Sequence, residues 1–393
     1  MENFKDKISS KLLELEKNSR LRTLKTIEKR VGNRIWIDGA SYLNCSSNDY
    51  LGIAGDIELK KDFLNWCAQN PDSLFTDLSS SSSRLLTGNS SIYDETEREI
   101  AQLYGREDCI IFSSGYHMNA GFFAAMYEKG DLIIADKLVH ASIIDGIQLS
   151  RAEHIRYNHL DYDHLRKILN ENRTKYKSVV IVTESVFSMD GDITDLNELV
   201  NIAAYFDARL FVDEAHAVGC FGETGLGICE KTGMTDKIDF IAGTFGKALG
   251  GAGAFIVCDN VIKQYLVNRC RSFIFTTALP PINISWMNFI FGKIPEMKKE
   301  REKLKLTSEL FKNMLTESGF TTRGSSHIVP VITGDDEKTV QLSAKMKESG
   351  FYIPAIRPPT VPEGSSRLRF SLTAEFTGNE INSIVETLSG TKL

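Results

Sequence analysis

No stretch of this 393-residue chain approaches the roughly 18 consecutive apolar residues that span a bilayer, so no membrane partner is expected. Basic excess is absent too. The chain carries 46 Lys and Arg against 52 Asp and Glu, a formal charge of −6 spread without a basic block. That balance argues against nucleic acid or an anionic surface as the main partner. The opening MENFKDKISSKLLELEKNSR has no apolar run of the kind a secretory signal needs, so a cytoplasmic protein is expected. Cysteines number seven, lie far apart and include no CxxC pair; several sit in apolar runs such as Cys109-Ile110-Ile111-Phe112. They read as reduced core residues, not as a disulfide or zinc framework. The seven histidines form no HExxH, and His154, His159 and His164 lie five apart in the polar stretch RAEHIRYNHLDYDHL, which reads as solvated surface. No metal is expected. The one low-complexity run, Ser79 to Ser83, reads as a flexible loop.

What is present is ordinary globular composition, 42% hydrophobic and 25% charged, in a chain long enough for two or three domains. Phe4, Ile8, Leu12 and Leu15 at helical spacing predict an amphipathic helix over 4–24, its stripe serving packing. RIWIDGASYLN at 34–44 predicts a strand pair turning at Asp38-Gly39. From about 88 to 260, short runs rich in Val, Ile and Phe (109–113, 131–135, 178–183, 209–212, 238–242, 253–258) alternate with helix-like pieces such as 161–172 and 194–206. This rhythm predicts an α/β protein with a mostly parallel central sheet covered on both faces. Pro280-Pro281 breaks the pattern. A helical region (281–319) and three strand-like pieces (327–332, 351–356, 367–372) follow, with helices near 336–349 and 378–389. The expected organisation is an N-terminal helix and strand segment (1–50), a large domain (51–282) and a smaller C-terminal α/β domain (283–393).

Ligands of such sheets bind beyond the carboxyl ends of the strands. There the chain places Ser114-Gly115-Tyr116-His117-Met118-Asn119, Glu184-Ser185-Val186-Phe187-Ser188, Asp213-Glu214-Ala215-His216 and Gly243-Thr244-Phe245-Gly246-Lys247-Ala248. Asp213–His216 and Gly246-Lys247 together invite an ATPase reading. A phosphate loop, however, needs Gly five residues before the Gly-Lys pair and Ser or Thr after it, ahead of the acidic segment. Position 241 is Ile, position 248 is Ala, and the Gly-Lys follows the Asp. The spacing excludes that reading. Lys247 among Gly246, Ala248, Gly250 and Gly251 suits a surface loop or a Schiff-base amine, where glycine lets a planar cofactor approach. A pyridoxal 5′-phosphate (PLP) site also needs a carboxylate for the ring nitrogen, an anion cradle and a cover for the ring. Asp213, the Gly115-Tyr116 turn with Thr244, and His140 are residues of those types at strand ends.

These residues also carry a resemblance. Ser46-Ser47-Asn48-Asp49-Tyr50-Leu51-Gly52, Thr183 to Asp192, Val212 to His216, Gly243 to Ala248 and Ile356 to Pro362 resemble, in order, the motifs of the α-oxoamine synthases. These are fold-type-I PLP-dependent enzymes that join an amino acid to an acyl thioester. The likeness runs from about residue 20 to 375, and Ile356–Ala374 most resembles the members that condense L-alanine with a pimeloyl thioester. The resemblance implies that Lys247 holds the cofactor and moves the α-proton, Asp213 pairs with the ring nitrogen and His140 stacks on the ring. It implies that Ser188 and His216 bond the phenolic oxygen, and that Gly115, Tyr116 and Thr244 bind phosphate, with Thr276 reaching in from a second subunit. Arg22, Asn48, Thr360 and Arg369 would face substrate, with Arg369 gripping the amino-acid carboxylate bidentately. A homodimer is implied, with coenzyme A or an acyl carrier protein delivering the acyl group. A sister enzyme using glycine or serine stays open at this point, as does, more distantly, a non-catalytic or ATP-dependent protein whose Asp213–His216 segment binds nucleotide. The chain departs from the family's pattern at Ser79–Ser83 and Tyr93, which bear on acyl-donor recognition, and at Tyr116, where the main chain does the binding.

Overall fold

The computed structural model describes residues 3–69 and 76–391. It divides into two compact units, 56–187 with 193–301, and 1–55 with 188–192 and 302–393. The 51–282 and 283–393 boundaries expected from the sequence therefore shift. The helix Pro281–Lys293 belongs to the larger unit, and the N-terminal segment belongs with the C-terminal residues.

The larger unit is built on seven strands in the order Asp108–Phe112, Ala254–Cys258, Phe240–Thr244, Arg209–Asp213, Val179–Glu184, Leu132–Asp136, Glu153–Tyr157. Only Ala254–Cys258 runs antiparallel to its neighbours. The Val179–Glu184 and Leu132–Asp136 strands are buried at every position, as expected of strands covered on both faces. Glu153–Tyr157, within the stretch read as solvated surface, is an edge strand paired with Leu132–Asp136 alone. Its exposed face needs no apolar residues, which hides it from a pattern reading. His159 is not simply solvated either: its Nδ1 lies 2.9 Å from Asp136 and its ring sits edge-on to Phe187.

Helix starts beside these strands are capped by their own sequences. Ser114 caps Gly115–Met126, His140 caps Ala141–Ser150 and Asp195 caps Leu196–Tyr205. The first two helices pack closely because position 146 is glycine: a Cβ there would lie 2.3 Å from the Asn119 carbonyl oxygen. The serine run at 79–83, expected as a flexible loop, is tied down. Ser80 Oγ donates to the Leu279 carbonyl at 2.7 Å, and Ala278 N–H donates to the Ser82 carbonyl at 2.9 Å. Buried Glu97 anchors the neighbourhood, accepting from Arg84, from Ile111 N–H at 2.8 Å and from Lys263 at 3.0 Å.

In the smaller unit, Arg34–Ile37 and Ala40–Asn44 pair antiparallel. Asp38 and Gly39 both have positive φ, 52° and 75°, the hairpin conformation that Asp-Gly favours. Ile328–Gly334, Ser366–Ser371 and Ala355–Ile356 form a second, antiparallel sheet. The segment 188–192 belongs here because Arg367 donates to Asp190 at 2.6 Å and Ser325 N–H donates to the Gly191 carbonyl at 3.0 Å. The N-terminal helix ends at Lys17, short of residue 24, where Asn18 caps it and Ser19 turns left-handed at φ 54°. None of its residues is buried, so Phe4, Ile8, Leu12 and Leu15 do not serve packing within the chain. Among the described residues no helix is long and apolar enough to cross a membrane. None of the seven cysteines forms a disulfide among the described residues, and six of them are buried.

Candidate active site

Neighbouring strands of the larger unit end in carboxyl groups: Glu184 and Asp213 lie opposite each other in the parallel register. Asp213 is buried and accepts on both oxygens, from Ala215 N–H at 2.9 Å and from Asn119 Nδ2 at 3.1 Å. Glu184 is buried as well, receives the His140 main-chain N–H, and leaves its Oε1 without a hydrogen-bond partner. Burial, reinforced by the Asp213 charge and opposed by Lys247, pushes the Glu184 carboxyl up to about 8. The next strand, Phe240–Thr244, runs into a tight loop. It is closed by Gly251 N–H on the Phe245 carbonyl (2.8 Å) and Gly250 N–H on the Lys247 carbonyl (3.0 Å). The loop holds Lys247 half-buried, its Nζ 2.7 Å from Nε2 of buried His216. Thr244 Oγ1 donates to the Gly253 carbonyl and accepts from Gly246 N–H.

Opposite these ends, His140 caps its helix by accepting Ser142 N–H on Nδ1 at 3.2 Å, and Ser142 Oγ lies 2.7 Å from the same atom. Burial lowers the His140 pKa; Asp213 opposes the shift and Lys247 adds to it. Gly115 begins a twelve-residue helix whose first N–H groups have no intrahelical partners, an arrangement that favours an anion. Tyr116 beside it is exposed, with its hydroxyl on Asp145. The larger unit thus brings Lys247, His216, Asp213 and His140 into one hydrogen-bonded and electrostatic neighbourhood. Asn119, Ser142 and Glu184 also belong to it; sequence reasoning gave them no role, although Asn119 and Glu184 stand in strand-end segments that it singled out. Thr276 is half-buried, and its hydroxyl donates to the Thr277 carbonyl at 3.5 Å. Tyr93 is buried, donates to the Leu279 carbonyl at 3.1 Å, and carries the Arg84 guanidinium 4.1 Å above its ring.

In the smaller unit, buried Arg369 donates to the Ser188 carbonyl, to Asn48 Oδ1 at 3.2 Å and to Ser371 Oγ at 2.6 Å. It also reaches the Tyr50 hydroxyl at 3.5 Å, and all four acceptors are neutral. Arg22 donates to Thr360 Oγ1 at 2.8 Å, so this sequence-predicted pair meets. Both residues line a cavity of about 680 Å³ that also carries Lys25, Lys347 and Arg357. Partial burial and the nearby Arg22 charge lower the Arg357 pKa, and its Nε is buried without a partner.

A family model of class I and II aminotransferases matches residues 40–388. The chain is 46% identical over 378 residues to the 8-amino-7-oxononanoate synthase of Chlorobaculum parvum, covering 95% of both proteins. The chain belongs to the aminotransferase class I and II family, in its α-oxoamine synthase branch. Its fold matches a serine palmitoyltransferase from S. paucimobilis, solved with a bound PLP–myriocin adduct, at TM-score 0.90 and 29% identity over 98% of this chain and 96% of that one. The 8-amino-7-oxononanoate synthase of Francisella tularensis matches at TM-score 0.75 and 28% identity over 89% and 97%. As a member of this branch the protein is a PLP-dependent acyltransferase. The residues present suit that cofactor: an amine on a glycine-rich loop, a buried acid, an open helix N-terminus and an imidazole. Two buried polar atoms of the same neighbourhood, Glu184 Oε1 and Asn119 Oδ1, lack partners. Among the described residues no group of three or more His, Cys, Asp or Glu is arranged to hold a metal ion.

Proposed function

We propose that this enzyme condenses L-alanine with a pimeloyl thioester, carried on coenzyme A or an acyl carrier protein, to give 8-amino-7-oxononanoate for biotin synthesis. The observation that carries this reading is the 46% identity along nearly the whole chain to a protein of that name. The higher fold score to a serine palmitoyltransferase comes with only 29% identity and supports a sister reading, serine with a longer acyl thioester. Bound PLP supplies an electron sink that stabilises a carbanion at the amino acid's α-carbon.

The chain's own residues do the rest. Lys247 Nζ would hold the cofactor and would take the α-proton of the bound amino acid; proton transfer of this kind is worth roughly 10²- to 10⁴-fold. His216, 2.7 Å from that amine, bonds the cofactor's phenolic oxygen together with Ser188. Asp213, fixed by Asn119 and Ala215, pairs with the ring nitrogen, and His140 covers the ring. The N–H groups at Gly115 and Tyr116, with Thr244 and Thr276 of a second subunit, hold the phosphate. Arg369 and Asn48 take the amino-acid carboxylate, and Arg22 and Thr360 face the acyl donor. A C–C bond forms from the α-carbon to the thioester carbonyl as the C–S bond breaks and the thiol leaves. The carboxylate then departs as CO₂, and the α-carbon takes up a proton.

A cytoplasmic homodimer is part of the proposal. Phe4, Leu12, Leu13, Leu24 and Phe275 are exposed large apolar side chains that a second copy would cover. The test is a panel of alanine, glycine and serine against acyl thioesters of several lengths, following thiol release, with borohydride trapping and peptide mapping of the cofactor. Preference for alanine with a pimeloyl donor and an adduct on Lys247 are expected. Preference for serine, or an adduct elsewhere, refutes the reading.

A further inference from the structure

We propose that Asn119 and Ser142 are positioning residues that lock His140 as the neutral imidazole with its proton on Nε2. Asp213 already takes the Ala215 N–H on one oxygen, and an ionised aspartate can only accept. The Asn119 group 3.1 Å from its other oxygen must therefore be the amide NH₂, which fixes the orientation of that side chain. The same nitrogen lies 3.0 Å from Ser142 Oγ and donates to it as well. With its oxygen engaged as acceptor, the Ser142 hydroxyl turns its own hydrogen toward His140 Nδ1, 2.7 Å away. The main-chain N–H of Ser142 points at the same ring atom from 3.2 Å. Two donors converge on Nδ1, so that atom carries a lone pair and the proton of the neutral ring sits on Nε2.

The backbone holds this chain of contacts in place. Gly146 lets the helix bearing Ser142 approach the helix bearing Asn119, and the His140 main-chain N–H is tied to the Glu184 carboxyl. Protonating Nδ1 would set an N–H against two donors, which disfavours the imidazolium. The charged groups acting on His140 are Asp213 and Asp145, which favour the charged ring, and Lys247, which together with burial opposes it. The consequence is a ring cover that stays uncharged over a pyridinium and offers one donor, Nε2–H.

The inference rests on His140 serving the cofactor site as proposed, and the test separates the two. Protein labelled with ¹⁵N-histidine is measured at pH 7, with and without PLP, by correlating the ring nitrogens with their attached and neighbouring protons. The His140 signals are assigned by their loss in His140→Asn. An unprotonated Nδ1 and a protonated Nε2 are expected in the wild type. Ser142→Ala and Asn119→Leu should move the tautomer ratio about fivefold or more toward the Nδ1–H form, the scale of one hydrogen bond. Ser142→Thr, which keeps the hydroxyl, should restore the wild-type pattern. A proton on Nδ1 in the wild-type apoprotein overturns the inference with no variant needed, as does an unchanged ratio in both Ser142→Ala and Asn119→Leu. Failure of the functional reading would show separately, as an unaltered visible spectrum of PLP-loaded His140→Asn.

Discussion

Replacing Glu184 with glutamine should change how stability depends on pH. The carboxyl titrates near 4.5 when unfolded and near 8 when folded, raised by burial first and by Asp213 second. Between those values the folded protein holds a proton that the unfolded chain releases, so stability falls as pH rises. The contribution is complete below about pH 4.5 and gone above about pH 8. Each tenfold gain in proton affinity on folding is worth about 1.4 kcal/mol, which over the full window sets a ceiling near ~5 kcal/mol. Relaxation around the charged carboxylate and its coupling to Asp213 reduce this to an expected ~1–3 kcal/mol between pH 5 and 8. Glu184→Gln keeps the size of the side chain and stays neutral throughout. Urea unfolding of the apoprotein at pH 5, 6, 7 and 8 and fixed ionic strength gives the two curves, and other titrating groups cancel in their difference. Wild type should lose stability relative to Glu184→Gln as pH rises. A difference that is flat within ~0.5 kcal/mol, or that slopes the other way, would refute the idea that this carboxyl is buried with its proton.

Glu97→Ala leaves Arg84 and Lys263 without their shared buried partner and should cost about 3–5 kcal/mol, read as a fall in Cm on urea unfolding. Gly146→Ala drives a methyl group to 2.3 Å from the Asn119 carbonyl oxygen. A loss of about 1–3 kcal/mol in thermal unfolding, with weaker PLP retention on dialysis, is expected. Arg369→Lys keeps the charge but not the planar fork. KM for the amino acid should rise about ten- to hundredfold while KM for the acyl donor stays near wild type. Lys247→Ala should remove the borohydride-trapped adduct and lower kcat at least ~10²-fold.

Much of the fold was legible because burial on both faces forces near-continuous apolar runs: every strand of the central sheet except Glu153–Tyr157 announces itself this way. That strand pairs on one side only and can be polar, so it reads like a loop. The candidate site was half legible for a related reason. Asp213 closes a strand, Lys247 and His216 follow strands, and all three sit in short segments whose residue types declare chemistry. Asn119 and Ser142 do not, since an amide and a hydroxyl acquire meaning only when Gly146 lets two helices approach. The unit boundaries also escaped a linear reading. The 188–192 segment, which lies between two strands of the larger unit, is captured by Arg367 and by Ser325.

The Asp213-Glu214 pair explains why a four-residue motif is a poor guide to chemistry. The two carboxyl groups are adjacent in sequence and both buried, yet they bond to different partners. Glu214 accepts Ser185 Oγ at 2.6 Å, Cys229 N–H at 2.6 Å and Ile228 N–H at 3.0 Å, so its lone pairs are used in holding the loop after the strand. Asp213 takes two N–H groups and faces Lys247, His140 and Glu184. Both of its oxygens are occupied by donors, which fixes the orientation of the carboxyl group. Glu184 alongside is pushed up to about 8 by burial first and by Asp213 second. Asp213 thus lies between a structural carboxyl that follows it in sequence and the Glu184 carboxyl on the neighbouring strand. A reading of Asp213–His216 as nucleotide chemistry would require Glu214 to be available, and its three donors show that it is not.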